Sequence, residues 1–301
     1  MKKYTEYIIL ILIIIFLIAI LYIDKRNKIH YKLPSIPKIN KNQINKIVIR
    51  KGKQNPIILT KKDNVWIINN NQKYKVDRKK IDYILNDISN LKLVSLVSKG
   101  NNYERYLLDR ENKINISIWE KQSKIFAFSI GKVSPNYTST YITLENKPAI
   151  YLAQGNLKST FDTDVEDLRD KHVLVFNVND INKIKINFKG ENLILTKKNN
   201  QWTSDKKVNN KIVDLIQQLQ TMECESFLQE TKIKPTGTKY IEIELVTNSS
   251  THFLRLSKSK EGKNSIYIGE SSNLPDKFKL SDYMVEELEK DLENIIFKKS
   301  K

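Results

Sequence analysis

Cysteine is almost missing from this chain of 301 residues: Cys224 stands alone. No intramolecular disulfide can form, and no cysteine pair exists to hold a structural zinc. Glycine is scarce too, at 8 positions, against roughly 7% of an average protein. Glycine-rich phosphate loops therefore have little raw material. The Gly-Lys pair in KSKEGKNS (Lys258 to Ser265) lacks the upstream glycine and spacing of such a loop and reads as a hairpin turn. Neither a G-x-S-x-G elbow nor an HExxH helix occurs. Histidine is equally sparse. His30, His172 and His252 each lack a second ligand two to four residues further along the chain, so they read as surface residues rather than metal ligands.

What is abundant is positive charge. Lys and Arg number 52 against 34 acids, a net +18, which by itself suggests nucleic acid or an anionic surface. The lysines are spread, however, in short runs such as Lys61-Lys62, Lys79-Lys80 and Lys197-Lys198, and no recognition motif accompanies them. Nucleic acid is not expected as a partner. A hydrophobic content of 40% is that of a globular chain.

One long apolar run is present: Tyr7 to Ile23, YIILILIIIFLIAILYI. At ~1.5 Å per residue it would reach ~25 Å, close to a hydrocarbon core. Charged residues, Asp24-Lys25-Arg26-Asn27-Lys28, follow it in place of a small-residue cleavage site. The expectation is an uncleaved signal-anchor transmembrane helix over residues 1–23, with membrane lipid as the partner of residues 7–23. Lysines on both sides leave its orientation open. Residues 24–43 then read as a spacer, extended by Pro34 and Pro37.

The remainder is written twice. ILTKKDNVW (Ile58 to Trp66) returns as ILTKKNNQW (Ile194 to Trp202), and INKIVI (Ile44 to Ile49) as INKIKI (Ile181 to Ile186). Period-2 alternation marks strands, and Asp63-Asn64 and Asn199-Asn200 suit tight turns between them. A helix follows in each copy. Ile81, Ile84, Leu85, Ile88 and Leu91 form one stripe, and Ile212, Leu215, Ile216, Leu219 and Met222 the other. Asp77 and Asn209 are the expected N-caps. Alternating strands return at Ile114 to Ile118 and Ile241 to Leu245. Closing helices are expected over Phe161 to Arg169 and Ser281 to Leu292, followed by VLVF (Val173 to Phe176) and NIIF (Asn294 to Phe297). The pattern predicts an α+β class: a transmembrane helix, then two tandem related units of antiparallel sheet plus helices, residues 44–176 and 177–301.

Several stretches resemble the bacterial domain of unknown function 4340 family: the segment from Trp66 into the following helix, ERYLLD (Glu104 to Asp109), IGKVSPNYTSTYITL…AIYLA (Ile130 to Ala153), and VEDLRDKHVLVF (Val165 to Phe176). Leu107 stands where the family has glycine, which puts a special backbone conformation there in question. The resemblance implies an N-terminally anchored, β-rich domain on the extracytoplasmic side, N-terminus in the cytoplasm. It also implies ABC-type export components as neighbours. It carries over no catalytic residues.

No constellation of side chains in the sequence names a reaction. FDTDVEDLRD (Phe161 to Asp170) is dense in acids, but an EF-hand reading puts Asp167 where glycine is required. A helix cap at Asp162 or Thr163, with acids in the first turn, explains it better. Cys224, at the end of an apolar helix, reads as core. Trp66 and Trp202 occupy equivalent strand positions. They are the only candidate ligand or partner contacts, weighed against a role as core anchors. The resulting expectation is a membrane-anchored, non-enzymatic accessory or scaffold protein of an envelope or ABC-type export complex. The alternative is an anchored binding module for an envelope polymer or anionic ligand. No cofactor or metal is expected, and the oligomeric state is left open.

Overall fold

A computed structural model of the chain describes residues 11–20, 32–69, 71–199, 201–204, 211–228, 239–261 and 264–297. Strands dominate. The first sheet is built from β1 (Ile44–Lys51), β2 (Ile57–Lys62), β3 (Val65–Ile68), β4 (Asn71–Lys75), β5 (Leu93–Ser98), β6 (Ile114–Glu120), β7 (Ser123–Val133), β8 (Ser139–Leu144) and β9 (Ile150–Gln154). The second uses β10 (Ile181–Phe188), β11 (Glu191–Lys198), β12 (Gln201–Thr203), β13 (Ser226–Phe227), β14 (Lys239–Thr247), β15 (Thr251–Glu261), β16 (Asn264–Ser271) and β17 (Phe278–Leu280).

Their orders are β4-β3-β2-β1-β6-β7-β8-β9-β5 and β12-β11-β10-β14-β15-β16-β17-β13. Among the described residues, every strand of the first but β4 has a topological counterpart in the second. The register agrees as well. Ile47 lies between Leu59 and Ile118, and Ile184 lies between Leu195 and Leu245. Both pairings carry a bulge at the same place, between Ile44 and Lys46 and between Ile181 and Lys183. A bulge reproduced at corresponding residues is the product of a repeated local sequence, because an extra residue re-aims every side chain beyond it.

The helices are few: α1 over residues 11–20, α2 (Arg78–Ser89), α3 (Leu157–Phe161), α4 (Val165–Leu168), α5 (Ile212–Thr221) and α6 (Asp282–Ile296). Asp77 caps α2 by accepting from the Lys80 N–H at 2.9 Å. Ile81, Ile84, Leu85 and Ile88 bury the α2 stripe, and Ile212, Leu215, Ile216 and Leu219 that of α5. Asn209, the expected cap of α5, lies outside the described residues. Two cores result, one running from Ile39 to Leu168 and one from Val173 to Ile295.

The expected α+β class with an N-terminal transmembrane helix is corrected by these observations. The chain is two large antiparallel sheets with few helices. Among the described residues no helix is long and apolar enough to cross a membrane. The described part of the apolar run is helical over residues 11–20, fewer than the ~20 residues that a ~30 Å core requires. Residues 7–10 and 21–23 of the apolar run lie outside the described residues. The large apolar side chains of α1 are exposed.

Two further expectations change. The helix read over Phe161 to Arg169 is two short pieces, because Asp162 ends α3 while Asp164 starts α4 by accepting from the Asp167 N–H. And VLVF does not close the first core: Val173 and Leu174 are buried in the second.

Left-handed backbone marks the turns. Asp63 and Asn64 both have positive φ, 48° and 64°, the geometry of the tight hairpin turn their residue types favour. Leu107 keeps φ at 54° although it is not glycine, a conformation that costs an L-residue about 1–2 kcal/mol. The turn carrying it is pressed onto β7. A Cβ built on Gly131 would come 2.2 Å from the Tyr106 carbonyl oxygen, so only glycine lets ERYLLD and the strand of IGKVSP approach so closely. Asp109 closes that turn by accepting from the Glu111 and Asn112 N–H groups and the Asn112 amide. The Asn112 amide is the main cause holding its carboxyl below the usual range.

Candidate functional site

The segment from Leu168 to Val173, paired with the chain around Cys224, splices the two cores together. On one side Arg169 pairs with Val76, the Asp170 N–H donates to the Lys75 carbonyl (2.9 Å), and the Asp77 N–H donates to the Leu168 carbonyl (2.8 Å). On the other, His172 pairs with Glu223, the Val173 N–H donates to the Met222 carbonyl, and the Cys224 N–H donates to the Lys171 carbonyl. Few residues thus engage both halves, and each spends its backbone groups on a ladder rather than on water.

Arg169 is the bolt of this splice. It is only 8% exposed. Its guanidinium lies between two rings, 4.2 Å from the centre of Tyr74 and 3.4 Å from that of Phe227. Its Nη2 donates to Asp276 Oδ2 at 2.7 Å. A planar, weakly hydrated cation suits such a sandwich, where a lysine ammonium would lack both the stacking face and the fork. Glu166 adds a second tie by accepting from the Phe227 N–H at 3.0 Å.

Beside the splice runs an open groove of about 650 Å³. Trp66, Val76, Ile81, Leu85, Leu174 and Phe176 supply its apolar surface. Lys41, Lys61, Lys75 and Arg78 surround it with positive charge, against Asp82 and Asp170. Val65 and Val175, both lining it, are 42% and 55% exposed.

At one end Asp77, Asp170 and His172 bring a ligand atom each within 4.8 Å of one another. Hydrogen bonds join two of the three to each other. Asp77 accepts from the Lys80 N–H, Asp170 Oδ1 lies 2.7 Å from His172 Nδ1 and also accepts the His172 N–H, and His172 Nε2 lies 3.5 Å from Glu223. Asp170 and His172 thus tie the splice to Glu223 of the second core, while Asp77 spends its side chain on capping α2.

Of the two tryptophans, only Trp66 lines the groove, and it is 7% exposed in the first core. Trp202 sits apart, half-buried against the second core, with Lys197 Nζ 6.0 Å from its ring. The acids of FDTDVEDLRD diverge to separate partners. Asp162 pairs with Lys51 and Lys158, Asp164 caps α4, Glu166 holds Phe227, and Asp170 holds His172. Cys224 is buried, and burial pushes its thiol up to about 12; at neutral pH it stays protonated and a poor nucleophile. Sequence reasoning does not single out Asp77, Asp170, His172 or Val175 as site residues. His172 beside Asp170 is legible as a pair, but nothing local links it to Asp77.

Fold and groove together define a duplicated, strand-dominated protein whose two cores are spliced beside an open groove with a basic rim. A family model, domain of unknown function 4340, matches residues 66–240, more than half of the chain, and the chain belongs to that family. The match begins at Trp66 and contains the whole splice. No curated protein matches the chain, and no solved structure does.

Proposed function

We propose that the chain is a non-enzymatic accessory or scaffold protein of an envelope or ABC-type export complex, with the junction groove as its docking surface. The observation that supports this reading is the groove itself: exposed Val65 and Val175 line an apolar floor beside the splice that ties both cores together. Exposed apolar surface rimmed by polar groups marks interaction sites. The export partner and the extracytoplasmic location of the two units rest on the family resemblance. Crosslinking in native cells at native abundance, followed by mild-detergent purification, is expected to recover one specific envelope partner in fixed proportion. Recovery of the chain alone would sink the proposal.

A second reading, a binding module for an envelope polymer or other anionic ligand, is favoured by a different patch. Tyr106 and Tyr141 lie 4.7 Å apart, with Lys132 Nζ within 5.8 Å of both ring centres and Arg105 over Tyr106. Rings combined with cations suit an acidic saccharide. On this reading the chain is retained on acidic polysaccharide at low salt and released as salt screens the charges, and Tyr141→Ala weakens retention about tenfold. Co-elution of Tyr141→Ala with wild type would discard it.

A further inference from the structure

We infer that the junction groove takes an acidic, apolar segment of a partner protein, an inference that rests on the scaffold reading above and names the chemistry of its partner. The walls demand two kinds of group at once. The apolar lining still open to water, Val65 and Val175 with half-buried Phe176, rewards apolar side chains by the area they withdraw from water. The rim carries four cations and two carboxylates, and two of the cations, Lys61 and Arg78, have no ion pair among the described residues. A polypeptide with alternating apolar and acidic side chains satisfies both, because it presents the two on a spacing of one or two residues.

A second copy of the chain is a poor occupant. Its net charge of +18 sets one copy against another. A sugar polymer would meet the cations but leave the floor exposed. A free anion would do the same. The partner is thus a protein segment of opposite charge, steered by the rim and held by the floor.

The test uses the full-length chain and two labelled peptides of one pattern, leucines interleaved with glutamate in the first and with lysine in the second, followed by fluorescence anisotropy. The glutamate peptide is expected to bind, salt-sensitively, and the lysine peptide not. Lys61→Glu/Arg78→Glu is expected to weaken binding by about tenfold or more. Lys99→Glu/Lys198→Glu, the same change of net charge at exposed lysines elsewhere, is expected to leave it within about twofold. Arg78→Glu puts a carboxylate in the first turn of α2, where the helix dipole favours it, so the fold should survive, as thermal melting checks. Equal binding of both peptides, or equal loss in both double variants, overturns the inference in favour of unspecific attraction to a basic surface. The two proposals fail separately. A native complex that survives Lys61→Glu/Arg78→Glu removes the groove inference and keeps the scaffold. A chain without native partner whose groove variant alone loses the peptide does the reverse.

Discussion

Trp66→Ala is expected to destabilise the chain by about 3–5 kcal/mol, the cost of emptying a large aromatic site in a core. Trp202→Ala, at the equivalent place in the repeat, is expected to lose only ~1–2 kcal/mol, because its ring already meets solvent on one side. Urea denaturation monitored by far-UV circular dichroism separates the two, since the signal does not depend on the tryptophan removed. The larger loss follows from the cover laid over the first hairpin. Trp66 is covered by Val76, whose N–H donates to the Trp66 carbonyl at 2.8 Å, and by the α2 stripe. Equal losses would mean that the two hairpins are packed alike, and that the groove beside Trp66 is not a distinguishing feature of the first unit.

The second large effect is expected at Arg169. Arg169→Ala removes the cation from between Tyr74 and Phe227 and leaves Asp276 without its 2.7 Å partner. Truncating one member of a buried pair typically costs about 3–5 kcal/mol. Asp276 keeps 26% of its side chain exposed, which lets water recover part of that, so about 3 kcal/mol is expected here. Arg169→Lys should fall between, keeping the charge and losing the planar stack. Calorimetry is the informative readout. With the bolt removed, the two cores should melt as separate transitions spaced more widely than in wild type. A variant that melts as wild type would show that the backbone pairing of the splice suffices.

Particular residues show how much of the fold and the site is legible in the sequence. Asp77 is legible as a cap and the α2 and α5 stripes as buried faces, because both depend on neighbours three and four positions away. The twin nonapeptides announce twin hairpins, and the strand order repeats accordingly. The helix expected over Phe161 to Arg169 is broken: its acids fit a first turn, yet Asp162 is drawn off by Lys51, 111 residues away in sequence. The apolar run has the length of a membrane span, while the described α1 covers only residues 11–20 of it.

By itself, then, the sequence determined the period of each strand, the faces of the helices, the turn residues and the duplication, all of them consequences of interactions within a few residues along the chain. Tertiary structure alone decided that Arg169 enters between rings from the two cores, that Asp77 and Asp170, 170 − 77 = 93 positions apart, come within 4.8 Å of each other, and that one tryptophan of the pair borders a groove. Those outcomes depend on which surfaces are left uncovered after two separate cores have closed. No local pattern records that, because the residues concerned become neighbours only when the sheets are complete.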